Sequence, residues 1–222
     1  MKKNYFVFIQ ALLITIVIFI IGFYIGITVE GGHMNQINDY YTQSETSLVD
    51  ILSLNNMIGS HTVSCSQLIN SDRTLLDKVY AEAQLLDQYN QPGQITNDLQ
   101  YLHTKYDALR TYLWINSINI KKECNQSNFS TVVYLYYNNE TDLTKKAEQN
   151  VWSKLLLDIK NENPDIALIP IAMDSNLTSL DTLTAKFNIT SYPAVIVNEK
   201  AVFYSIPKKS EIVSLINASS PQ

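Results

Sequence analysis

At 222 residues the chain is long enough for one or two compact domains, and a net charge of -5 with scattered lysines leaves no basic stripe, which sets nucleic acid aside as a partner. Charged residues make up only 17% of the chain while Asn, Ser, Thr, Gln and Tyr are plentiful, so its surface is polar without being strongly charged.

From Tyr5 to Val29 the only strongly polar side chain is Gln10. A helix of that length, rising about 1.5 Å per residue, crosses a ~30 Å hydrocarbon core. Lys2 and Lys3 precede the run and Glu30 follows it, so the positive-inside tendency keeps the N-terminus cytoplasmic and sends the remainder across the cell membrane. The run is longer than a signal-peptide core, and we read residues 1–30 as an uncleaved, single-pass signal anchor, the alternative being a cleaved signal peptide. Gly22 and Gly26 form a Gly-x-x-x-Gly motif that lets two membrane helices approach closely.

Gly31 and Gly32 mark a joint, after which residues 31–124 read as a helical stalk. Met34, Ile37, Tyr41, Leu48, Ile51 and Ile58 follow a heptad-like, coiled-coil spacing, which packing inside one bundle explains as well as self-association does. A break at Gly59–Ser64 precedes a second helix with Leu68, Leu75, Leu76, Val79, Ala83 and Leu86 on one face. Pro92 and Gly93 make a turn, and a third helix carries Ile95, Leu99, Leu102, Tyr106, Leu109, Leu113 and Ile120. So short a connection folds these two helices into an antiparallel hairpin. The fold-back brings Cys65 at the start of one helix to Cys124 at the end of the other, and an oxidising compartment would join them; two free thiols are the alternative. Two cysteines without neighbouring histidines are too few ligands for a metal.

From Ser130 the pattern alternates. Val132–Tyr137, Ile166–Met173, Ala194–Val197 and Ala201–Ser205 read as strands, and Leu143–Lys160, Ser179–Phe187 and Lys209–Ile216 as helices, giving the order β-α-β-α-β-β-α. The chain as a whole is therefore α+β, with residues 125–222 forming an α/β domain behind the anchor and stalk.

That order, together with KFNITSYPAVIVNEKAVF at residues 186–203, resembles the thioredoxin-like family over Ser130 to Asn217. Phe187, Ile189, Pro193, the AVIV strand and the turn at Asn198–Lys200 occupy the places where the family has a helix-ending aromatic, a small loop, a cis-proline, a strand and a tight turn. The resemblance implies a cis bond at Tyr192–Pro193 and a peptide-binding groove between that step and the loop Asn138–Asp142, with Tyr192, Pro193, Asn139 and Asp142 at its edges. Tyr136, Tyr137 and Tyr204 are further groove candidates that sheet packing would equally explain. Active members carry Cys-x-x-Cys after the first central strand; here Asn139 and Asp142 stand near those positions, and Thr141 and Asp142 look like helix caps. The redox mechanism of the family is therefore not carried over. His33, His61 and His103 are scattered, so neither a catalytic residue, a metal nor a cofactor is expected.

Asn-x-Ser/Thr sequons begin at Asn125, Asn128, Asn139, Asn176, Asn188 and Asn217, six of the eleven asparagines from 125 onward and none of the ten before. With Ser and Thr forming about a sixth of the chain, chance alone gives about two, so a glycoprotein facing outside is expected beside the bland reading of an Asn- and Thr-rich surface. These features favour a membrane-tethered scaffold or polypeptide-binding module whose partners are the bilayer and an extracytoplasmic or membrane protein. The competing expectations are a thiol-disulfide enzyme using Cys65 and Cys124, and a homo-oligomeric component of the cell envelope.

Overall fold

The structure, a computed structural model, describes residues 6–27, 64–89, 97–124 and 129–218 with a few residues between 42 and 53; the side chains of 82–99, 101 and 102 fall outside that description. The joint at Gly31 and Gly32, the stripe from Met34 to Ile58, the turn at Pro92 and Gly93 and the sequons at Asn125 and Asn128 also lie outside the described residues. The chain divides into two compact units, Met1–Gln43 and Ser44–Gln222.

Helix α1, Phe6–Ile27, has a mean hydropathy of 2.9 and is long and apolar enough to cross a membrane. Its side chains are exposed throughout, and a side chain added at Gly22 or Gly26 would meet nothing within 4 Å.

In the second unit, Ser64 and Gln67 start helix α2 (Cys65–Tyr89) with a capping box. The Gln67 side chain accepts the Ser64 N–H at 3.0 Å while the Gln67 N–H reaches back to the Ser64 hydroxyl at 3.4 Å. Helix α3 (Asn97–Cys124) closes with Lys121 and Lys122, cations suited to the negative end of a helix. The two run antiparallel. Tyr106 donates to the Val79 carbonyl, Asn116 to Asp72 at 2.7 Å and Ser117 to the same carboxylate at 3.2 Å, and Cys65 is disulfide-bonded to Cys124 with Cα atoms 5.6 Å apart. Partner numbers fall along one helix as they rise along the other. The pairing expected of the two cysteines is thus present.

Strands β1 (Thr131–Tyr136), β2 (Ala167–Ala172), β3 (Ala194–Val197) and β4 (Ala201–Phe203) form a mixed sheet in the order β2-β1-β3-β4. β1 runs parallel to β2 and antiparallel to β3, and β3 to β4. Pro170 sits in β2, an edge strand, where a missing ladder donor is tolerated. Asn198 and Glu199, with φ of 53° and 55°, open the three-residue turn between β3 and β4, closed by Lys200 N–H to the Val197 carbonyl at 3.1 Å. Helices α4 (Leu143–Glu162), α5 (Thr178–Lys186) and α6 (Lys209–Asn217) complete the unit, and a one-turn 3₁₀ segment, Met173–Ser175, leads out of β2 where the sequence pattern suggested continued strand.

Alternation along the strands sends side chains to two faces. Val132, Tyr134, Val195 and Val197 pack with Trp152, Leu156 and Ile159 of α4 and Ile212 and Ile216 of α6. The intervening Val133, Leu135, Ile169, Ile171 and Ile196 point the other way and are equally buried, on the side where α5 and the hairpin pack. Helix α3 lies against β2, the 3₁₀ turn and α5, and its Trp114, fully buried, stacks on Phe187 with ring centroids 5.4 Å apart. Where the sequence suggested a stalk ending at 124 and a separate domain from 125, the hairpin and the sheet share one core. The physical reason is that a four-stranded sheet with apolar residues on both faces needs a layer on each, and the nine-residue α5 is too short to supply one alone.

Candidate functional site

The C-terminal ends of β1, β2 and β4 and the start of β3 bring four loops together at one end of the sheet. There Asp174, on the 3₁₀ turn, accepts the N–H groups of Asn138 and Asn139, one on each carboxylate oxygen at 2.9 Å. Asp142 caps α4, accepting from Thr144 N–H at 2.8 Å and Lys145 N–H at 3.3 Å, and its own N–H is held by Glu140 at 2.9 Å. The amides that open α4, where a helix would otherwise attract an anion, are thus already neutralised by carboxylates. The loop from Asn138 to Asp142 carries no thiol.

Across from it, the Tyr192–Pro193 bond is cis and Pro193 is buried. Tyr192 sets its ring edge-on to Tyr137, centroids 5.3 Å apart, and Tyr204 donates its hydroxyl to the Asn188 carbonyl at 3.3 Å. Burial pushes the Tyr192 phenol up, against a hydrogen bond to Thr184. Of the residues singled out from the sequence, then, Tyr192 lies beside Tyr137, Pro193 is buried, Asp142 is committed as a cap, and Asn139 is held by its backbone with its side chain exposed. Tyr136 packs on the core under α4 and α6, its ring stacked on Tyr134 at 5.2 Å.

Sequence reasoning missed two polar clusters on α3. Lys121 donates to Thr131 at 2.6 Å, to Asn198 at 3.1 Å and to Glu199 at 2.8 Å; Glu199 also accepts from Thr131 at 2.6 Å and from the Trp114 indole at 3.3 Å. Burial pulls the Lys121 ammonium down while the Glu199 carboxylate opposes it. Further along, Asp107 accepts the Ala172 N–H at 3.1 Å and lies 3.7 Å from Arg110, whose guanidinium stacks over Tyr106. Burial drives Asp107, and likewise Asp72, up to about 6 despite these partners. The only signal was that α3's apolar residues, Trp114 among them, do not keep to one stripe, the mark of a helix covered on more than one side.

The disulfide sits at the opposite end of the sheet from Tyr137 and Tyr192, since Lys121, one turn before Cys124, is bonded to Thr131 at the start of β1. Six strand residues separate the two ends, about 20 Å. Among the described residues no group of His, Cys, Asp and Glu is placed to hold a metal ion. Comparison with known proteins finds no matching family model, no matching curated protein and no matching solved structure.

Proposed function

We propose that the protein is a membrane-tethered, extracytoplasmic polypeptide-binding module built on a redox-inactive thioredoxin-like domain. The observation that carries this reading is the loop from Asn138 to Asp142, whose own amides at Asn138 and Asn139 are held by Asp174 and whose last residue, Asp142, takes the amides that open α4, where a redox member would hold its cysteines. The sheet order β2-β1-β3-β4, with Pro193 leading into β3, supports the family resemblance, and α1 with Lys2 and Lys3 before it supports the tether and its direction. A polypeptide would be held beside Tyr192 and Pro193 by main-chain and side-chain contacts alone, so binding is modest and reversible.

Two experiments test the reading. The full-length protein in detergent is assayed for insulin-type disulfide reduction, where turnover above background would reject the inactive reading in favour of Cys65 and Cys124 as a redox couple. Crosslinking and pull-down from the protein's own membrane then separate a polypeptide partner, lost in Tyr192→Ala, from self-association. Recovery of the chain alone, dependent on Gly22 and Gly26, would favour the homo-oligomeric envelope component instead.

A further inference from the structure

Three of the sequons stand on loops that the fold gathers at one end. Asn139 follows β1, Asn176 follows the 3₁₀ turn after β2, and Asn188 follows α5. The loops are tied together by the Asp174 carboxylate on the Asn138 and Asn139 amides, by the Tyr137–Tyr192 contact and by the Tyr204 hydroxyl on Asn188. All three asparagines and their threonines, Thr141, Thr178 and Thr190, are exposed. Asn176 and Asn188 take the left-handed backbone, with φ of 53°, which places each at the turning point of its loop. Among the described residues no hydrogen bond engages the three side-chain amides, whereas Asn163 and Asn198, which begin no sequon, spend theirs on the carbonyls of Ile159 and Leu215 at 3.0 and 3.1 Å.

We infer that Asn139, Asn176 and Asn188 are N-glycosylation sites whose sugars cover this end of the sheet. The step joins the side-chain amide nitrogen to C1 of the first sugar of a lipid-phosphate-linked oligosaccharide: the N–C1 bond forms, the C1–O bond to phosphate breaks, the phosphate leaves with the electron pair, and the amide gives up one proton. The inference rests on the outward topology proposed above and refines that site, because a glycan on Asn139 removes that residue from polypeptide contact.

The experiment uses the full-length protein in its own cells. Intact cells are first exposed to a protease that does not cross membranes, and protein from untreated cells is then mapped by peptide mass spectrometry. Cleavage from outside is expected, with sugar mass added at Asn139, Asn176 and Asn188 and none at Asn150. Substituting the hydroxyl residue keeps each asparagine on its own backbone conformation, so Thr141→Ala, Thr178→Ala and Thr190→Ala should each remove one increment and the triple variant all three. Bare peptides at all three sites on a protein cut from outside would overturn the glycan inference and leave the topology standing. Bare peptides on a protected protein would overturn both.

Discussion

Asp107 on α3 accepts the backbone N–H of Ala172 at 3.1 Å, so a carboxylate from the hairpin pairs with the edge strand of the sheet. An unpaired edge invites pairing with another chain, and α3 covers this one along with the apolar face beside it.

Residues 126–222 produced without the hairpin should therefore fail as a soluble monomer, because Val133, Leu135, Ile169, Ile171 and Ile196 lose their cover. Dye binding and sedimentation would show an aggregated or loosely packed species, while residues 64–222 should remain monomeric. A well-folded monomer from the shorter piece would contradict the shared core.

Stability should rise on acidification from neutral pH. Asp72 and Asp107 have carboxyls raised from an ordinary 3.8 to about 6 by burial, so the folded protein holds protons there that the unfolded chain has released. The stabilisation is fully present below about pH 4 and is lost as pH climbs through about 6; for each carboxyl the rise corresponds to on the order of 3 kcal/mol. Denaturant unfolding at pH 4.5 and 7.5 measures the difference, and Asp72→Asn should remove about half of it.

Glu199→Ala should cost about 2 to 4 kcal/mol, since it leaves Lys121 mostly buried without its ion-pair partner and strips the Trp114 indole of its acceptor. The neighbouring exposed Lys200→Ala should stay within about 0.5 kcal/mol. Thermal unfolding of the two variants distinguishes a turn that matters for its contacts from one that only reverses the chain.

Cys65→Ser should lower stability by roughly 2 to 5 kcal/mol, as expected when a bridge closing 59 residues of sequence is removed. Unfolding with and without reductant should show the same loss in the unmutated protein and none in the variant.

The strands were legible because β-branched residues crowd into short runs, and the hairpin because its leucines keep helical spacing. The hairpin's place on the sheet was not. Asp107, Arg110, Asn116 and Ser117 are polar and charged residues to which the apolar spacing assigns no place, yet they are buried, Asp107 on the Ala172 N–H and beside Arg110, Asn116 and Ser117 on Asp72. At the candidate site Asp142 was legible as a cap because its partners are the next residues along, while Asp174 was not, because the amides it holds lie about 36 residues earlier in the chain.

The bridge between Cys65 and Cys124 also sets how a pull from the N-terminal side would travel. Tension entering at Cys65 crosses the sulfur bond to Cys124 and continues into β1 seven residues later, leaving the 58 residues between the cysteines outside the covalent load path. The hairpin is thereby spared stretching while it keeps the sheet covered, and a reducing environment would reroute the same force through it.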